Sequence, residues 1–216
     1  MSTPYHHGSL RTALLQEARR VLGEEGTQAL TIRGLAKRVG VSHSAPLRHF
    51  ADRDALLDAL AAEGFDELTA VLRAADDEDD LRARLSVYAH GHVRFALDNG
   101  PLMELMFSGA PRPEGSLAAA AATRFTTSGT AMLGEPPDAR PGPLVFLLAG
   151  MLEGISSLVS TRRLPADQID EVTDTAVELM LPAVRAQLGE RGPRGAHPPD
   201  PSTTVTDRCD ASRALP

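Results

Sequence analysis

The chain has 216 residues, 42% hydrophobic and 24% charged, which is enough apolar content for a sizeable core and excludes broad disorder. A lone cysteine, Cys209, excludes an internal disulfide framework and any zinc site built on several cysteines. The formal net charge of −7 hides a split: residues 1–53 carry eight Arg/Lys against four Asp/Glu, a net of +4, while residues 54–216 carry fourteen against twenty-five, a net of −11. A basic N-terminal segment on an acidic body can present one cationic face to a polyanion, although an excess of this size also arises by chance. No apolar run approaches the roughly 20 residues needed to span a bilayer. The opening, MSTPYHHGSLR, has no apolar signal-peptide stretch. A soluble cytoplasmic protein with no membrane partner is expected.

In chain order the pattern is helical. Leu10, Leu14, Ala18, Val21 and Leu22 recur at helical spacing, with Ser9 as the expected N-cap and Gly26 as the stop. Thr31 caps a short helix carrying Ile32, Leu35, Ala36 and Val39, closed by Gly40, and Ser42 is expected to cap a third short helix to about Phe50. Asp52 starts a longer helix whose buried stripe is Ala55, Leu56, Ala59, Leu60, Phe65, Leu68 and Leu72. The acidic run 76–80 reads as a solvated turn that also favours the next helix N-terminus. That helix shows Leu81, Leu85, Tyr88, His92 and Phe95 on one side and ends at Asn99-Gly100-Pro101.

A short segment, Leu102 to Phe107, precedes a Gly/Pro-rich loop over 109–115. Residues 116–133 are alanine-rich and helical in pattern, and a second Pro/Gly break covers 134–143. The stretch 144–160 is apolar almost all round, which predicts a helix buried on more than one side. The last helix runs from about Ala166 to Leu188, where Pro182 should kink it or loosen its end. Residues 189–216 read as a disordered tail. No strand alternation is convincing, so the fold class is all-α.

Residues 27–54 carry the functional signal. Two short helices joined by a tight Gly-containing turn, with small Ala36 where they cross, form the helix-turn-helix pattern. Such a unit sends the N-terminal end of its second helix into the DNA major groove and braces the first across the backbone. That second helix would expose Ser42, His43, Ser44, Arg48 and His49, with Val41 and Phe50 inward and Leu47 able to face either way. Pro46 falls in the first turns, where its ring can also touch a base or sugar edge.

Here the chain resembles the TetR family of bacterial transcriptional regulators over roughly residues 9–60. The resemblance rests on the Ala18–Gly26 helix end, Thr31-Ile32-Arg33-Gly34-Leu35-Ala36, Gly40-Val41-Ser42, Arg48-His49-Phe50, Arg53 and Leu56-Leu57. Tyr5-His6-His7-Gly8-Ser9-Leu10 and Ser42-His43-Ser44-Ala45-Pro46 look like one subgroup of it. The resemblance implies an all-α homodimer with an N-terminal three-helix head, residues 1–52. An antiparallel helical ligand-binding and dimerisation body, 53–188, would follow, ahead of the tail 189–216. It further implies that Thr31 and Arg33 meet phosphates, that Ser42, His43, Ser44 and Pro46 lie at or near base edges, and that Arg48, His49 and Arg53 complete the DNA-binding set. Two positions depart from the usual pattern: Leu47 stands where a phosphate-contacting Tyr is usual, and Arg53 where Lys is common.

The body offers Met103, Met106, Phe107, Phe125, Phe146 and Met151 as apolar candidates for a pocket wall. Tyr88, His92, Glu104, Arg124 and Glu153 are candidates for its placed polar groups. The partners expected are a double-stranded DNA operator, an unidentified small-molecule effector and a second copy of the chain, docked through the last two helices. Gly150, Gly154 and Ser157 make a small face on one of them, equally consistent with internal packing. His90 and His92 sit two residues apart on different helix faces and are not a metal pair. No cofactor, metal or catalytic residue is expected, since no nucleophile–base, phosphate-loop or metal spacing is present. The rival reading is a helical small-molecule-binding protein or enzyme without DNA binding. Salt dependence separates them, because DNA binding weakens steeply as counterions are released.

Overall fold

The computed structural model describes residues 7–108, 115–136 and 140–190, with side chains over 10–108, 115–136 and 140–189. The loop tips 109–114 and 137–139, His6, and the expected tail from 191 onward, with Cys209, lie outside the described residues. Among the described residues every regular element is a helix.

The head opens with α1, His7–Glu25. The helix begins two residues before the expected Ser9 cap, which is therefore a correction. Gly26, at φ 79°, ends it in the left-handed region that glycine adopts without steric cost. After a 3-10 turn, Thr27–Ala29, comes α2, Ile32–Val39, whose Thr31 Oγ1 accepts from the Gly34 amide at 3.0 Å. Asp52 caps α3, Arg53–Ala75, by accepting from the Ala55 amide at 2.8 Å. Asp80 caps α4, Leu81–Asp98, from the end of the exposed acidic turn.

Then follow α5 (Gly100–Phe107), α6 (Leu117–Met132), α7 (Pro143–Ser160) and α8 (Ile169–Glu190), the last led in by a 3-10 turn at Ala166–Gln168. α8 runs through Pro182 unbroken and two residues past the expected end.

Two apolar clusters hold the chain together, and α3 passes through both. The first joins α1, α2 and Phe50 of the head to the front of α3, to α5 and to the start of α6. The second joins the end of α3 to α4, α7, α8 and the end of α6. Leu14, Ala18, Leu56, Leu60 and Leu68 are fully buried in the first cluster, as their periodicity predicts.

Polar ties fix how the layers meet. Asp58 on α3 accepts from the Leu117 amide at 2.7 Å and from the Ser116 hydroxyl, so one carboxylate serves the free amides at the start of α6. Arg19 on α1 holds Glu67 of α3 in a forked pair and also donates to Asn99 Oδ1 at 2.7 Å, at the α4–α5 joint.

α7 corrects two expectations. Leu148, Leu152, Ile155 and Val159 are buried, yet Leu147 is 58% and Phe146 65% exposed, so the helix is covered on one side only. A Cβ on Gly150 or Gly154 would meet nothing within 4 Å, so no helix of the same chain packs on the small face. Pro143–Ser160, at a mean hydropathy of 1.7, is also long and apolar enough to cross a membrane by length and composition, contrary to the sequence reading.

Candidate nucleic-acid interface and effector cavity

The segment after Gly40 is the largest local departure from expectation. Ser42 to Phe50 is not an α-helix. It is a run of tight turns ending in one 3-10 turn, Pro46–Arg48. Pro46 explains this. Its nitrogen cannot donate and its ring crowds the carbonyl four residues back, so no α-helical ladder runs through it although Ala45 itself keeps helical dihedrals. The carbonyls are used at shorter range instead: the Ala45 amide donates to Ser42 O at 3.0 Å and the His49 amide to Pro46 O at 2.9 Å.

This turn is anchored from below. Phe50 is 3% exposed in the first cluster, with the Arg11 guanidinium 5.6 Å from its ring centroid. Pro46 is buried, so it packs inward and leaves the base-edge set. Ser42, His43, Ser44, Leu47 and Arg48 are exposed and His49 is half-buried. Thr31 and Arg33, at the N-terminal end of α2, are exposed as well. Arg53 is partly exposed: its Nε and Nη2 donate to Leu30 O at 2.9 Å and Thr27 O at 2.7 Å, tying the start of α3 to the linker before α2.

The body holds a cavity of about 360 Å³ between α3, α4, α5, α6 and α7. Of the sequence candidates, Tyr88, Met106, Phe107, Phe125, Phe146 and Glu153 line it. The others do not. His92 is buried behind Tyr88, Met103 and Glu104 border a neighbouring cleft, Met151 faces the outer groove between α7 and α8, and Arg124 pairs with Asp66 at 2.7 Å. Phe65, Met132, Val145 and Leu148 line the cavity and escaped the sequence reading. Their periodic placement is that of ordinary core residues, and nothing local separates a cavity wall from a filled core. Phe65 meets Phe107 edge-on at 5.4 Å between centroids.

His92 is buried with Nε2 unpartnered, and burial pushes its pKa down to about 4. Its neighbour Tyr88, 3.5 Å from Nδ1, is pushed up by burial and then by the Glu153 carboxylate. Below the unfolded value of about 6.5 the unfolded chain takes up a proton that folded His92 refuses, so stability falls as pH drops towards 4, by up to about 3 kcal/mol. His92→Leu should flatten this part of the profile. Urea unfolding of both proteins at pH 7 and pH 5 checks it, and equal slopes would refute it. His90 instead faces α8, with Nε2 2.9 Å from Asp174. Among the described residues no group of three or more His, Cys, Asp or Glu is placed to hold a metal ion.

A helix-turn-helix head continuous with a helical body that encloses a cavity defines the class of protein. Residues 14–60 match the family model for bacterial regulatory proteins of the tetR family. That match covers the head and the front of α3, so the tetR-family likeness is shown for this module of the chain. It is 35% identical over 95 residues to the HTH-type transcriptional repressor Rv1474c of Mycobacterium tuberculosis, covering 38% of this chain and 51% of that one. The chain spans about half the length of the first curated relatives it matches. Among solved structures it resembles a protein of unknown function from Rhodococcus sp. RHA1, at 36% identity and TM-score 0.73, covering 84% of this chain and 98% of that one. The regulator FadR from Bacillus subtilis, solved with stearoyl-CoA, shares the fold alone at 12% identity and TM-score 0.64, covering 78% and 96%.

Proposed function

We propose that the protein is a ligand-responsive DNA-binding transcriptional regulator, a cytoplasmic repressor that holds a palindromic operator as a homodimer and lets go when a small molecule fills the body. The observation that carries this is the exposed row Ser42, His43, Ser44 and Arg48 on a buried Phe50 anchor, beside the exposed end of α2 with Thr31 and Arg33. Hydroxyls, imidazole and guanidinium on one rigid edge are the groups that read base edges and hold phosphates. His49 completes the contact set, and Leu47 offers apolar contact where a hydroxyl is usual. The opening Tyr5–Leu10 and the Ser-His-x-Ala-Pro turn support the same subgroup reading. No catalysis is part of this function.

Head 1–52 and body 53–188 are the functional division, although one apolar cluster spans the boundary. That continuity favours mechanical coupling. Met106 and Phe107 of α5 line the cavity, and α3 passes so close at Gly64 that a Cβ there would sit 2.3 Å from Met106 Sδ. An effector that displaces α5 therefore pushes on α3, and through Glu67 and Arg19 on α1. It shifts the heads only if it binds the released state more tightly than the bound one. In the bound state the two heads stand about 34–36 Å apart, one turn of DNA.

Selection of bound DNA from a random pool tests the reading, followed by titration of the selected duplex. Arg48→Ala removes one contact from each half-site, so it should weaken dimer binding at least about tenfold and lower the salt slope by about two. Unchanged affinity and slope would refute the assigned face.

A further inference from the structure

Resting on the regulator reading of the cavity, we propose that its ligand is a lipophilic cation, a protonated or quaternary amine on an apolar body, with Glu153 as counter-ion. Glu153 is the one charged residue on α7, an otherwise apolar 18-residue helix. It lines the cavity, and among the described residues no cation or hydrogen-bond donor partners it. Its pKa is raised by loss of hydration, with no charge nearby to offset that cost. Glu153 is exposed and also lines the cavity, so its carboxylate stands between water and the apolar wall, where a cationic ligand can pair with it.

The rest of the wall suits the same guest. Phe65, Phe107, Phe125 and Phe146 present rings, whose negative faces attract a cation. Among the described residues no Arg, Lys or His lines the cavity. The adjoining cleft between α5 and α7 shares Glu153 and adds Glu104 and the hydroxyls of Ser156, Ser157 and Ser160, again without a basic residue. A carboxylate or phosphate on the ligand would meet like charge with nothing to neutralise it.

The test uses the full chain and three probes of one shape: phenylbutyl-trimethylammonium, its uncharged tert-butyl analogue and the anion phenylpentanoate. Titration calorimetry should find the cation bound at least about tenfold more tightly than either other probe. Glu153→Gln should remove that preference while leaving the uncharged probe unchanged, with circular dichroism and melting confirming that the variant folds. Equal or tighter binding of the uncharged or anionic probe, a cation preference that survives Glu153→Gln, or no binding of the cation at millimolar concentration overturns the proposal. Titration of the selected DNA is run in parallel. Absent DNA binding with an intact cation preference counts against the regulator reading alone, and the reverse result counts against the cation alone.

Discussion

If the proposed homodimer forms through α7 and α8, Leu147→Asp combined with Leu179→Asp should leave a monomer and weaken operator binding by roughly two orders of magnitude or more. Both side chains point away from the core, at 58% and 70% exposure. Between them runs an outer groove of α7 and α8 floored by Met151, Ile155, Val172 and Ala176. Open space over Gly150 and Gly154 lets a partner helix approach closely, and the apolar sides of both helices need a cover. A two-fold mate supplies the same face in return. Once the faces carry charge, each head must find its half-site alone, and the gain from linked binding is lost. Sedimentation gives the mass and DNA titration the affinity. A double variant that stays dimeric, or a monomer that binds the operator as tightly as wild type, would refute the assigned interface.

Phe50→Ala should destabilise the protein by about 3–5 kcal/mol and abolish DNA binding. The ring is buried at the point where the 3-10 turn rejoins the core, and its backbone amide donates to Pro46 O at 2.9 Å. With that one i→i−4 bond and a few tighter turns, the segment depends on such an anchor more than a regular helix would, since few local bonds hold the exposed row in place. Urea unfolding measures the loss, and DNA titration at a concentration of urea-free folded protein separates a misplaced turn from a simply unfolded one. Folded Phe50→Ala with native DNA affinity would show that the turn is positioned by something else.

The helices and some of their caps were readable from the residues because both are local: Thr31 and Asp52 cap where expected. The turn at Pro46 was also a local matter, and the missing amide together with the bulk of the ring outweighed the helical pattern around it. Arg53 shows the opposite case. Its side chain has the charge of a phosphate contact, but its partners, Leu30 and Thr27, are more than twenty residues away, and only the folded chain brings their carbonyls to it.

Residue order alone settled that this chain is helical, where its basic segment lies, and that a helix-turn-helix unit heads it, since periodicity, capping and charge are properties of neighbours along the backbone. Tertiary packing decided which apolar residues wall a cavity and which fill a core, which carboxylate is left unpaired, and which side of α7 stays bare. Those outcomes depend on what stands opposite a helix face, and periodicity is the same whether the opposite side is protein, void or water.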